Sequence, residues 1–172
     1  MKIVNDSYVV DGTFIDFPDN ESYAVIAYVM GCPHFCDGCQ NPQLQRYVPY
    51  DWTSLVNDIV KFAEPSQTKK VVISGGDPLM NWHIENTKRV VKALKELHFS
   101  ICIYTGFDVD FCKKNFDCPF DFIKCGGYIN KISRPFVKND KEMILASPNQ
   151  DFYDKDFNKI SNNGILIFEE HK

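Results

Sequence analysis

The chain contains no apolar run near the roughly 20 residues that a helix needs to cross a bilayer. Its first residues, Met1-Lys2-Ile3-Val4-Asn5-Asp6, lead into polar sequence and not into the apolar stretch of a secretion signal. It has no excess of basic residues: 19 Lys and Arg stand against 23 Asp and Glu, a net charge of −4. That balance argues against a nucleic-acid backbone as partner, which asks for a basic surface. Internal repeats and low-complexity segments are lacking. So is a second cysteine pair that would complete a divided zinc site. The cysteines number seven, an odd count that argues against a secreted disulfide scaffold. These absences leave a cytosolic protein in a reducing compartment as the expectation. With 172 residues, 44% hydrophobic and 24% charged, the chain suffices for one globular domain over residues 1–172.

Three of the seven cysteines stand within one short run, Gly31-Cys32-Pro33-His34-Phe35-Cys36-Asp37-Gly38-Cys39. The spacing is C-x3-C-x2-C. Three thiolates on one loop can hold three irons of a cubic iron–sulfur cluster and leave the fourth iron without a protein ligand. Electron-carrying clusters of this type use four cysteines. A cluster one ligand short has an open position, and in zinc sites an open position separates catalytic from structural centres. Two other readings stand beside this one. His34 could complete a zinc site of three sulfurs and one nitrogen, although it lies between two of the cysteines, where ligation would strain the loop. The cysteines could also be buried thiols brought together by chance.

The pattern along the chain is that of alternating strands and helices. Residues 1–22 read as a lead-in with turn signals at Asp11-Gly12 and Pro18-Asp19-Asn20. Tyr23 to Met30 is a near-continuous apolar run, as in a strand buried on both faces. Asp51 is a good helix N-cap, and Trp52, Leu55, Val56, Ile59 and Ala63 recur at helical spacing up to the break at Pro65. Further strands are expected at Val71–Ile73, Ile101–Tyr104, Phe120–Lys124, Met143–Ala146 and Gly164–Phe168. Helices are expected from about Trp82 to Leu97, with a stripe of Ile84, Val91, Leu94 and Leu97, and from Asp108 to Lys114. Lys88, Lys92 and Lys95 read as a solvated face. Alternation of this kind predicts an α/β fold of βαβ units with a mainly parallel sheet. A closed (βα)8 barrel needs about 250 residues, so the expectation is an incomplete (βα) barrel of about four to six strands.

The distinctive loops all follow strands: the cysteine run, then Ser74-Gly75-Gly76-Asp77-Pro78, then Thr105-Gly106, then Cys125-Gly126-Gly127. In a parallel βα architecture such loops converge on one rim, where active sites lie. The glycines admit close approach of a ligand, and their free carbonyls could accept from an ammonium group. Each loop is also compatible with an ordinary turn.

The run from Gly31 to Pro42, with Gly75-Gly76-Asp77-Pro78, Tyr104-Thr105-Gly106 and Asn149-Gln150, resembles the radical S-adenosylmethionine enzymes. Within them it is similar to the small activating proteins of anaerobic ribonucleoside-triphosphate reductase, over roughly residues 24–153. The resemblance implies that Cys32, Cys36 and Cys39 hold a 4Fe-4S cluster whose open iron takes the amino and carboxylate groups of S-adenosyl-L-methionine. It implies that Gly75, Gly76 and Asp77 hold the amino group, that Thr105 belongs to the same site, and that the backbone near Gly38 lies by the adenine. No side chain is assigned a catalytic role. The implied outcome is a glycyl radical on the large reductase subunit, with a donor such as flavodoxin reducing the cluster. Sulfonium reduction needs the low end of the range of about −700 to +450 mV open to protein clusters.

The chain departs from this pattern at two places. Gly38 stands where many members of the superfamily carry an aromatic residue, and Cys125-Gly126 stands where many activating proteins have Asp-Gly. A fourth-ligand role for Cys125 and a buried thiol are both open. Cys102 reads as a core residue, and Cys112 and Cys118 have no evident role. Asn149 and Gln150 could touch a partner or cap a turn. Alternative functions are a small-molecule enzyme of the same superfamily, such as a 7-carboxy-7-deazaguanine synthase, and a non-enzymatic iron–sulfur electron-transfer or sensor module.

Overall fold

The computed structural model describes residues 1–21 and 23–169. In chain order the strands are β1 (Ile3–Val4), β2 (Tyr8–Thr13), β3 (Ala24–Val29), β4 (Lys70–Gly75), β5 (Ser100–Tyr104), β6 (Phe122–Cys125), β7 (Val137–Lys138), β8 (Glu142–Ile144), β9 (Asp151–Asp154) and β10 (Ile165–Ile167). The helices are α1 (Trp52–Ala63), α2 (Ile84–Glu96) and α3 (Val109–Asn115). One sheet has the order β1-β2-β3-β4-β5-β6-β9. Its four central strands, β3 to β6, run parallel, and both flanks are antiparallel.

The central strands are apolar on both sides because both sides are covered. Val25, Ala27, Val29, Val71, Ile73, Ile101, Ile103 and Ile123 face the helices in one buried cluster. Ala24, Ile26, Val72 and Cys102 face the other way and pack with Phe17, Met143, Leu145, Phe152 and Leu166. All three crossovers step to the next strand in the same direction. Crossovers of one hand therefore put α1, α2 and α3 on the same face. Asp51 caps α1 by accepting from the Ser54 amide at 3.0 Å, a contact worth about 1 kcal/mol. Leu55, Val56, Ile59 and Ala63 are the buried stripe of α1, as their spacing predicts.

Several expectations are corrected. Met143–Ala146 and Gly164–Phe168 do contain strands, but β8 and β10 belong to a separate antiparallel sheet of order β10-β8-β7 and do not extend the parallel one. Asp11-Gly12 is not a turn. Both residues lie within β2, where Gly12 pairs with Val25 and its missing side chain makes room for the Tyr23 ring. Helix α2 begins at Ile84, leaving Trp82 outside and 62% exposed, and Leu97 is its exposed C-cap. The architecture is α/β with a parallel centre and two antiparallel edges, β1 and β9. Among the described residues no helix is long and apolar enough to cross a membrane.

Candidate metal centre

The cysteine loop leaves the C-terminal end of β3 and is clasped at its base. Gly31 donates its amide to the Leu44 carbonyl at 2.7 Å, Cys32 donates to Gln45 at 3.1 Å, and Val48 donates to Met30 at 3.3 Å. Within the loop, Cys39 donates to the Cys36 carbonyl at 3.1 Å. Gly38 takes the left-handed conformation, φ 70°, beside the Asn130 side chain. Cys32, Cys36 and Cys39 are free and half-buried. All three line one cavity of about 300 Å³, together with Gly75, Gly76, Gly106, Gly126 and Gly127. The loops after β3, β4, β5 and β6 thus meet on one rim, as their positions after parallel strands predict.

Gly75 and Gly76 have a second reason to be glycine. Gly75 has φ 117°, and a β-carbon on it would strike the Val29 backbone. A β-carbon on Gly76 would collide with the Gly31 carbonyl and come within 2.7 Å of the Leu44 carbonyl oxygen. This close approach lets Gly76 donate to Val29 at 2.8 Å and Asp77 donate to Gly31 at 2.7 Å. The β4 loop is therefore stitched by backbone hydrogen bonds to the base of the cysteine loop.

Asp77 and Thr105 stand behind the cavity and do not line it. The Asp77 side chain is fully buried. Its Oδ2 meets His34 Nε2 at 2.6 Å and accepts from the Gly106 amide at 2.9 Å. Its Oδ1 accepts from the Leu79 amide at 2.9 Å, and the Thr105 hydroxyl lies 2.9 Å from both oxygens. One carboxylate thus ties the cysteine loop, the β4 loop and the β5 loop together, and its acceptors are filled from within the protein. The carboxylate expected to hold a ligand's amino group is, in this structure, engaged by these four internal donors. His34, the alternative zinc ligand, is taken up by Asp77 and packs edge-on against Phe107 at 4.6 Å.

The other cysteines lie elsewhere. Cys125 is buried on the helix side, its sulfur 3.7 Å from Cys112. Cys102 is in the core beneath the other face, and Cys118 donates to the Lys88 carbonyl at 3.6 Å. Asn149 and Gln150 bind the turn after β6: Asn149 Nδ2 donates to Gly127 at 2.8 Å and Gln150 Nε2 donates to Gly126 at 3.2 Å.

Sequence reasoning missed the cavity floor. Parallel register aligns Tyr28 with Ser74 and Tyr104 with Lys124. These four residues form a row across β3 to β6, on the face opposite the helices, and all line the cavity. Continuing the strand alternation to the last residue of each strand would have found them. Tyr104 donates its hydroxyl to the Asp16 carbonyl at 2.6 Å. Burial, with Asp16 and Asp11 nearby, pushes the Tyr28 phenol up to about 12. Burial also raises the Cys32 thiol above its ordinary value, against the backbone amides of His34 and Phe35, which act to lower it.

The 4Fe-4S single cluster domain family matches the chain over residues 21–148. The chain belongs to that family. No curated protein matches it. The cysteine loop fits the group that the 4Fe-4S single cluster domain carries. Among the described residues no three His, Cys, Asp or Glu side chains gather around one point as a single ion would require. Zinc would draw every ligand sulfur to about 2.3 Å from one centre. The cubane puts each cysteine on a different iron and makes no such demand. Three free, half-buried thiols on one cavity are the donor set that it needs, and Cys32, Cys36 and Cys39 would hold it.

Proposed function

We propose that this member of the 4Fe-4S single cluster domain family is a radical S-adenosylmethionine activase that generates a glycyl radical on anaerobic ribonucleoside-triphosphate reductase. The observation that carries the reading is the sulfur count at the cavity. Of seven cysteines, only Cys32, Cys36 and Cys39 line it among the described residues. A cluster held by these three would keep one iron without a protein ligand, at a cavity that Gly75, Gly76, Gly126 and Gly127 also line.

Such a cluster would supply one electron to the sulfonium of S-adenosyl-L-methionine, the chemistry that breaks a sulfur–carbon bond to give methionine and a 5′-deoxyadenosyl radical. The chain's own residues bind, orient and shield. Gly75 and Gly76 present backbone to the ligand's amino-acid end. Gly38 packs against Asn130 and does not itself line the cavity, whereas Cys39, Gln40, Asn41 and Tyr128 do, and the adenine would rest along that part of the rim. Asp77, through His34, Thr105 and Gly106, keeps the loops at fixed separation. This division suits a protein whose cofactor carries the chemistry. The radical then takes a hydrogen atom from a glycine Cα of the reductase subunit, giving 5′-deoxyadenosine and the glycyl radical. A one-electron donor such as flavodoxin would re-reduce the cluster, and the chemistry would suit a reducing cytosol.

Support for a macromolecular substrate comes from the surroundings of Cys32. On its other side lies a wider, largely apolar hollow of about 1110 Å³, bordered by Phe35, Tyr47, Trp82 and Phe107. Phe35 and Trp82 are 68% and 62% exposed, and apolar surface of this kind suits burial against another protein.

The test is incubation of the anaerobically reconstituted, dithionite-reduced protein with S-adenosyl-L-methionine and the large reductase subunit. The expected result is 5′-deoxyadenosine together with a glycyl-radical doublet in the partner's electron paramagnetic resonance spectrum. Cleavage without the doublet would favour a small-molecule enzyme, and no cleavage would leave an electron-transfer or sensor module.

A further inference from the structure

We infer that Lys124 is the anchor for the carboxylate of the ligand bound beside the metal centre, held in place by the ring of Tyr104. This rests on the reading of the site as one for S-adenosyl-L-methionine, and names the residue that recognises the acidic end of that molecule.

Lys124 is the next-to-last residue of β6 and ends the row Tyr28-Ser74-Tyr104-Lys124 on the cavity floor. Its Nζ lies 4.8 Å from the centre of the Tyr104 ring. Among the described residues, no carboxylate lies within ion-pair distance of it. An ammonium group has three donors, and a ring face satisfies none of them fully. Lys124 is half-buried and lines the cavity, so its ammonium, which has no carboxylate partner, is available to an anionic group that enters the hollow, where a charge-assisted hydrogen bond is stronger than a neutral one.

The neighbouring acids do not fill that place. Asp16 accepts from the Thr13 hydroxyl and lies outside ion-pair distance of Lys124; burial raises its pKa, while Thr13, Lys124 and Lys138 act the other way. Asp77 is filled by His34, Thr105, Gly106 and Leu79. Burial lowers the pKa of Lys124 itself, while Asp77, Asp16, Cys125 and Cys102 act the other way. Among the described residues the hollow therefore offers one unpaired cation, Lys124, and no arginine lines it, so it suits a singly charged carboxylate better than a phosphate, for which arginine clusters are the usual receptor.

The test compares two ligands on the anaerobic, unreduced holoprotein by equilibrium binding: S-adenosyl-L-methionine and its decarboxylated form. Wild type should prefer the carboxylate-bearing ligand. Lys124→Met should reduce that preference by about tenfold to a hundredfold, the worth of one hydrogen bond to a charged group. It should do so by weakening S-adenosyl-L-methionine alone, and Lys124→Arg should keep most of the preference. Iron content and the melting curve check that the variant is folded; if Lys124→Met loses iron, Lys124→Gln carries the same comparison. Equal weakening of both ligands, or of neither, overturns the assignment. Failure of wild type to bind either nucleotide is a different result, and overturns the functional reading itself.

Discussion

Replacement of Asp77 separates bracing from ligand binding. Four donors converge on its carboxylate: His34 Nε2, the Thr105 hydroxyl and the amides of Gly106 and Leu79. Asp77→Ala leaves them facing a void. An orphaned buried donor costs about 1–3 kcal/mol. A simple sum over four would rival the whole stability of a domain, about 5–15 kcal/mol. Water entry and rotation of the Thr105 hydroxyl reduce it to about 3–5 kcal/mol, the upper end of what single substitutions cost. Asp77→Asn keeps the shape. Its amide oxygen can stay toward His34 and Gly106, but its NH2 then points at the Leu79 amide, donor against donor. The expected cost is about 2–4 kcal/mol, from one lost charge-assisted bond and one clash. The assay is anaerobic urea unfolding of the cluster-free protein in reductant, so that no ligand or metal contributes. Iron binding after reconstitution should fall in parallel, because the cysteine and β5 loops lose their common tie. If Asp77→Asn unfolds within about 0.5 kcal/mol of wild type, the usual range of a neutral surface change, the carboxylate is not a brace, and its place as a direct ligand contact is restored.

Three further outcomes are expected. Serine at Cys32, Cys36 or Cys39 should abolish cluster absorbance and iron retention, whereas serine at Cys102 or Cys118 should leave iron per chain unchanged; colorimetric iron and visible spectra decide. Gly76→Ala should destabilise by about 1–3 kcal/mol or more, the range of overpacked sites, because its β-carbon meets the Gly31 and Leu44 carbonyls. Gly127→Ala, whose β-carbon meets only the Gly106 carbonyl oxygen at 3.7 Å, should be nearly neutral in the same melts. Tyr8, Tyr28 and Tyr50 have phenols raised to about 12, with burial the largest cause in each. Their folded pKa values exceed the unfolded value near 10, so their contribution to stability is complete below pH 10 and is lost as pH rises toward 12. The melting temperature should fall through that window, and Tyr28→Phe and Tyr50→Phe should lessen the fall.

The parts of the fold written in local periodicity were legible. β3 was readable from eight apolar residues in a row, and α1 from Asp51 and the 3.6-residue recurrence of Leu55, Val56, Ile59 and Ala63. β8 and β10 were readable as strands, but alternation does not name a pairing partner, and they join each other and not the parallel sheet. β9 was missed because Asp151-Phe152-Tyr153-Asp154 is short and polar-ended, like an edge strand. The three cysteines were legible because their spacing is local. The work of Asp77 was not, because its donors come from positions 34, 79, 105 and 106, and only tertiary packing brings them together.

The proposed open iron traces to the register of β6. Side chains alternate faces along a strand, so Phe122 and Lys124 face the side of the cavity while Ile123 and Cys125 face the helices. The pairings Ile103–Ile123 and Tyr104–Lys124 on one edge, and Lys124–Phe152 on the other, fix that choice. A slip by one residue would exchange the two sets. It would bury the Lys124 ammonium among Cys112, Phe116 and Phe120 in the helix-side core, and turn the Cys125 thiol toward the cysteine loop. A fourth sulfur at the cavity could close the last corner of a cubane and convert an open centre into an electron carrier. The cost of burying an unpaired ammonium in an apolar core enforces the observed register. The same pleat that places a cation on the cavity floor therefore also keeps the fourth thiol away from it.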